Sequence, residues 1–146
     1  MTRHTPSSPP SRRPWRLLPA LLIAVGTAAA AQTQTPAQIL DSYAKKAGAP
    51  ASAERGQKFF TQRFQGSNNL FESCTDCHGS KPTARGKDAV SEKPIEPLAP
   101  AANRKRLTDP NKVDNYLRIN CKDVVGRDCT AQEKADVLAW LVGLKP

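Results

Sequence analysis

The sequence predicts an all-α domain. Three observations carry this expectation. Helix-start signals recur along the chain. Apolar residues follow them at three- and four-residue intervals. No segment shows the strict alternation of a half-buried strand. With 146 residues there is room for one domain and not for two ordinary ones.

The first 31 residues read as an address rather than part of the fold. Arg3, Arg12, Arg13 and Arg16 precede the apolar stretch Leu17 to Ala31, which closes on the small residues Ala29-Ala30-Ala31. That is the pattern of a secretory signal peptide cleaved before Gln32, and it predicts export to the periplasm. An uncleaved anchor is the competing reading. On the cleaved reading the mature domain is residues 32–146 and carries no membrane span. Removing 31 of 146 residues leaves 115, and four of the 22 Lys and Arg leave with the leader, so 18 bases face 13 acids. A net +5 is a modest basicity. It argues against a nucleic-acid binder and is compatible with steering an acidic partner protein.

Thr35-Pro36-Ala37-Gln38 opens the first helix, with Thr35 as cap, Pro36 in the first turn and Gln38 completing a capping box. Ile39, Leu40, Tyr43, Ala44 and Ala47 give it one apolar face, and Gly48 followed by Pro50 ends it. A second helix is expected from about Ala51 to Gln65, with Gly56, Phe59, Phe60 and Phe64 at helical spacing. Gly56 inside a helix costs about 1 kcal/mol relative to Ala, and is either a tolerated weak spot or the mark of a close helix contact. Residues 66–78 read as a polar turn. From Gly79 to Thr108, Pro82, Pro94, Pro97 and Pro100 break every period, so a long loop is expected. Loops beyond ~12–15 residues are uncommon in compact domains unless they are functional or disordered. Order returns at Asp109-Pro110, a cap with Pro at the first helical position, followed by Val113, Tyr116, Leu117 and Asn120 as one inner face. The last helix begins at Thr130, Glu133 closes a capping box, and Val137, Leu138 and Leu141 form its inner stripe beside Trp140.

Cys74-Thr75-Asp76-Cys77-His78 is the attachment pattern of a c-type haem. Two thiols three positions apart can add across the two vinyl groups of one porphyrin, and the adjacent His78 then lies under the iron as proximal ligand. A zinc ribbon would want a second close cysteine pair, whereas seven residues separate Cys121 from Cys129. A thioredoxin-like redox pair would want a βαβ setting, which is missing from the pattern. One covalently bound haem c is therefore the expected cofactor, and it would supply apolar volume to a domain in which only 5% of residues are aromatic.

The sixth iron position separates the possible functions. Cytochromes built for electron transfer usually fill both axial sites with His or Met. The only Met is Met1, and the only His besides His78 is His4, so both leave with the leader. A protein ligand on the far side must be Lys, Tyr, Asn or Asp, or else the position holds water or nothing. Asn120 continues the apolar face of its helix, and a buried amide without a partner costs on the order of 1–3 kcal/mol, so iron is one reading of it. A cap on the helix end is the other. Tyr116 and the lysines share the remaining possibilities. The next residue, Cys121, should pair with Cys129 in an oxidising compartment, a staple worth about 2.5 kcal/mol for so short a loop.

From Gln32 onward the chain resembles the sphaeroides haem protein type of class I cytochrome c. The agreement is densest in Gly48-Ala49-Pro50 to Gly56, in Ile95-Glu96-Pro97-Leu98-Ala99-Pro100, in Asn120-Cys121, in Val125-Gly126-Arg127-Asp128-Cys129-Thr130, and in Glu133-Lys134-Ala135-Asp136 with Leu138-Ala139-Trp140-Leu141. Residues Lys81 to Lys93 match least. The resemblance implies a class I cytochrome c-like single domain wrapped around one covalent haem. It also implies Asn120 as distal ligand to the iron and a Cys121–Cys129 disulfide. Members of this family are described as high-spin haem proteins whose Asn leaves the iron on reduction, so that small diatomics can bind. The expectation is then a periplasmic redox protein that takes electrons from a partner, another cytochrome, and binds oxygen, nitric oxide or carbon monoxide. Slow turnover of oxygen or a nitrogen oxide stays open. The alternative is a plain electron carrier with both axial sites filled in both oxidation states. A peroxidase-like enzyme ranks below both, because the mature chain lacks a distal His to act as acid–base catalyst.

Overall fold

A computed structural model of the chain describes Met1, residues 33–65 and residues 72–146. The expected signal peptide lies outside the described residues. The described residues 33–65 and 72–146 belong to one unit. Its elements are α1 (Pro36–Ala47), α2 (Ala53–Thr61), α3 (Thr75–His78), β1 (Gly86–Lys87), β2 (Pro94–Ile95), α4 (Pro110–Asn120), a π-helical turn (Cys121–Val125) and α5 (Ala131–Gly143). Among these elements no helix is long and apolar enough to cross a membrane.

The capping chemistry forms where the sequence placed it. Thr35 accepts from the Gln38 backbone N–H at 3.2 Å while Gln38 accepts from Thr35 N–H at 2.8 Å. Thr130 and Glu133 make the same reciprocal pair at 3.2 and 2.8 Å. Asp109 caps α4 by accepting from Asn111 and Lys112. Gly48 closes α1 with φ +70°, a left-handed conformation that side-chain-bearing residues rarely adopt.

α2 is shorter than expected at both ends. Ser52, unused in the sequence reading, is its N-cap and accepts from Arg55 N–H, and the helix stops at Thr61. Phe64 therefore lies beyond the helix. Its ring rests 5.1 Å from that of Phe59, and its N–H bonds the Glu72 carbonyl. Residues 75–78, expected within a polar turn, form one turn of helix. The proline-broken stretch holds a feature the period could not show, a two-residue antiparallel ladder pairing Gly86 with Ile95 and Lys87 with Pro94. Two residues a side are too few to show alternation.

α5 is the centre of the packing. Ala135, Asp136, Val137, Leu138, Trp140 and Leu141 are all buried, so the helix is enclosed on several sides rather than along one stripe. One core joins Ile39 and Tyr43 of α1, Val113 of α4, and Ala135 and Leu138. The other joins Phe60 of α2 to Val137, Trp140 and Leu141, with Cys74 and Leu98 packed on its edge. Ile39 and Leu138 are fully buried, each contributing about 1.5–3 kcal/mol.

Gly56 settles its two readings in favour of close contact, since a Cβ there would collide with the backbone carbonyl of Asp136. Asp136, 4% exposed, ties the same crossing together. Its carboxylate accepts from Ser52 N–H at 2.6 Å, from Arg55 Nε and Nη2 at 2.7 and 2.8 Å, and from Gln132 Nε2 at 2.9 Å. Burial pushes its pKa up, but these donors outweigh burial and hold it below the usual carboxylate value. A carboxylate whose pKa is depressed on folding stabilises the fold above its unfolded pKa and loses that contribution as pH falls through its folded one. Asp136→Asn should therefore destabilise the domain by about 1–3 kcal/mol near neutral pH. It should also flatten the loss of stability below about pH 4, measured by urea unfolding across pH. An acid limb unchanged by the substitution would place the acid sensitivity elsewhere.

Candidate haem site

The turn that carries Cys74, Cys77 and His78 is built by its neighbours. Buried Ser73 donates from Oγ to the Phe60 carbonyl at 3.1 Å and accepts from Thr75 N–H at 3.2 Å and Thr75 Oγ1 at 2.8 Å. Asp76 accepts from the Glu72 and Ser73 N–H groups at 2.8 and 3.0 Å. Ser73, Thr75 and Asp76 thus have structural work that the cysteine motif alone did not reveal. The signal was present as Ser-x-x-Asp, a helix-start pattern overlaid on the cysteines. Gly79 leaves the turn with φ +68°, which its lack of a side chain permits.

Cys74 and Cys77 take part in no disulfide and are both half-buried on one helical turn. Burial pushes the Cys74 thiol up to about 11, so it is protonated at neutral pH. His78 follows directly, its ring centroid 6.1 Å from that of Phe60, which in turn sits 4.9 Å from Trp140. Burial first, and the nearby Arg106 charge second, bring His78 down to about 4. The imidazole is therefore neutral, the form that binds metals. Its Nδ1 is buried and has no hydrogen-bond partner among the described residues. Two thiols three apart beside a neutral imidazole with a buried, unpartnered nitrogen are a donor set that fits a c-type haem.

The long loop braces this turn from the other side. A Cβ at Gly86 would collide with the Cys77 carbonyl and the His78 Cα, so β1 lies directly on the haem-attachment turn. Pro82 O accepts from the N–H groups of Leu98 and Ala99 at 2.9 and 3.0 Å, folding the loop back on itself.

Asn120 is the last residue of α4, at the point where the backbone changes to the π turn. The face expected to hold it is divided. Val113 is buried and Leu117 packs on the first core, but Tyr116 is 55% exposed and Asn120 is exposed too. The expectation of a buried stripe through Asn120 is thus corrected. The core-facing edge of α4 passes through Val113 and Leu117, and Tyr116 and Asn120 fall on the adjoining surface. Standing at the N-cap position of the π turn, Asn120 makes no side-chain hydrogen bond to it. Cys121 and Cys129 are disulfide-bonded with Cα atoms 5.6 Å apart, both buried. Between them the π turn closes on Gly126 at φ +79°. π turns often occur at functional sites, and this one begins at the residue after Asn120. The structure brings Cys74, Cys77 and His78 together on one turn and Asn120, Cys121 and Cys129 together at another, and α3 packs on β1.

These features define a monohaem c-type cytochrome of class I-like, helical architecture, and the comparisons with known proteins agree. A family described as a domain of unknown function (DUF1924) matches residues 46–141. The cytochrome c-type protein SHP of Cereibacter sphaeroides is 46% identical over 119 residues, covering 82% of this chain and 91% of the relative. The solved structure of oxidised SHP, an oxygen-binding cytochrome c, matches with a TM-score of 0.74, covering 77% of this chain and 99% of that one. Oxidised cytochrome c'' of Methylophilus methylotrophus matches with a TM-score of 0.69 at 32% identity, covering 76% of this chain and 95% of that one. The chain belongs to the SHP family of c-type cytochromes, with one covalently attached haem c.

Gly86→Ala should lower covalent haem incorporation, because a methyl there forces β1 off the attachment turn. Overpacking of this kind costs about 1–3 kcal/mol. The ratio of haem absorbance to protein measures it, and wild-type loading would show that the hairpin is not a brace.

Proposed function

We propose that this protein is a periplasmic monohaem cytochrome whose distal ligand is labile, so that reduction opens the haem to small diatomics. Cys74 and Cys77 hold the porphyrin as thioethers, and His78 is the proximal ligand. Asn120 is the distal one, steadied by the Cys121–Cys129 disulfide. The observation that carries the reading is scarcity. The sequence holds a single Met at position 1 and no His beyond His4 and His78, so neither strong ligand type is on hand for the sixth position. Asn120 immediately precedes the disulfide and the π turn, which hold the backbone beside it. Further support comes from the relatives. SHP is described as oxygen binding, and cytochrome c'' has been studied for haem-ligand detachment.

A neutral amide oxygen is a weak, hard donor, tolerable to ferric iron and poorly suited to softer ferrous iron. The haem supplies the electron chemistry, and the protein sets the axial ligand and the polarity around it. The leader in residues 1–31 sends the domain of residues 32–146 to the periplasm, where a partner protein, another cytochrome, donates the electron. Oxygen, nitric oxide and carbon monoxide are the ligand class.

The test is the absorption spectrum of the haem-loaded protein, oxidised and reduced, with and without carbon monoxide. A high-spin ferrous form that promptly binds carbon monoxide is expected. A low-spin ferrous form that ignores it would establish the alternative, an electron carrier closed in both states. Asn120→Ala should abolish any six-coordinate ferric signature and leave the ferrous spectrum nearly unchanged.

A further inference from the structure

Arg106 stands out among the described cations. Its Nε donates to the Pro97 carbonyl at 3.0 Å and its Nη2 to the Glu96 carbonyl at 2.9 Å. Among the described residues no ion pair is formed by Arg106. The nearby Glu96 carboxylate is taken by Arg85 at 2.8 Å. A guanidinium held by neutral carbonyls has no carboxylate beside it to offset its charge.

The segment it grips is part of the wall behind His78. Ile95, the residue before Glu96, pairs with Gly86, and Gly86 presses on the Cys77 carbonyl and the His78 Cα. Leu98 and Ala99, just after Pro97, are held by Pro82, four residues beyond His78. Arg106 therefore holds a loop that reaches the haem-attachment turn through Gly86. The direction of Arg106 is itself constrained. Leu107 has φ +55°, an uncommon conformation for a residue with a branched side chain, and its side chain packs on both cores.

We propose that Arg106 is a positioning residue of the haem site, locking the Glu96–Pro97 segment against the His78 turn and setting beside it a fixed positive charge that favours the reduced iron. Reduction adds one electron to the iron centre, and a neighbouring cation lowers the free energy of that added negative charge. The proposal rests on the reading of His78 as an iron ligand.

The experiment is potentiometric titration of the haem-loaded protein, followed by absorbance, for the wild type and three variants. Arg106→Gln removes the charge and should shift the reduction equilibrium about tenfold toward the oxidised form, which for one electron is about 59 mV. Arg106→Lys keeps the charge but not the fork, and should stay within about threefold of the wild type. Asn103→Asp leaves Arg106 in place. Asn103 Nδ2 lies 3.5 Å from the same Pro97 carbonyl, and its Oδ1 already accepts from Lys105 N–H at 3.1 Å, so the substitution adds an acid beside the guanidinium and keeps that bond. It should shift the equilibrium in the same direction as Arg106→Gln. A potential unmoved in both Arg106→Gln and Asn103→Asp overturns the proposal. So does a fall in Arg106→Lys as large as that in Arg106→Gln, which would leave only a role in shape. If Arg106→Gln fails to take up haem, Asn103→Asp against Arg106→Lys decides. The underlying reading is checked separately with His78→Ala. Loss of the wild-type haem spectrum there supports His78 as ligand, whatever Arg106 does, and an unchanged spectrum removes the basis of the proposal.

Discussion

The α2–α5 crossing is the constraint on which the rest of this domain depends. Gly56 lets the two backbones meet, and the carboxylate of Asp136 then ties Arg55, the Ser52 N–H and Gln132 to one point. With that crossing set, Phe60 is brought against Trp140 and Val137, and the Phe60 carbonyl is in place to receive Ser73. The cysteine turn hangs from that bond. An apolar core and a hydrogen bond to a helix carbonyl thus hold the haem-attachment residues at a defined place.

The proline-rich loop is the second support. It has no periodicity because its order is not that of a regular element. Its backbone groups are satisfied by the Gly86–Ile95 ladder, by Pro82, and by the Arg106 fork. Buried backbone polar groups must be paired somewhere, and here the pairing is with side chains and distant carbonyls. That arrangement places a segment of low sequence regularity directly on the backbone of Cys77 and His78.

Ligand supply shapes the chemistry as strongly as geometry does. A small helical domain with one covalent haem usually offers the iron a second strong ligand. Here the sequence holds one Met, at position 1, and His4 and His78 as its only histidines. The disulfide and the π turn restrict the backbone on the C-terminal side of Asn120.

Much of this was legible in the residues. Capping boxes at Thr35 and Thr130, the Asp109-Pro110 start, the Gly48 stop and the Cys74–His78 motif depend on interactions within a few positions, so local sequence is enough to specify them. The count of Met and His limits the sixth position without any coordinates. Tertiary structure decided what depends on residues far apart in the chain. It ended α2 at Thr61, and it turned Gly56 from a weak spot into a contact with Asp136, 80 positions away. It split the face of α4 so that Val113 joins the core and Tyr116 and Asn120 do not. It also revealed the Gly86–Ile95 ladder and the grip of Arg106 on Glu96 and Pro97. Short-range hydrogen bonding follows from neighbours in sequence, whereas the close approach of two backbones follows only from how the whole chain packs.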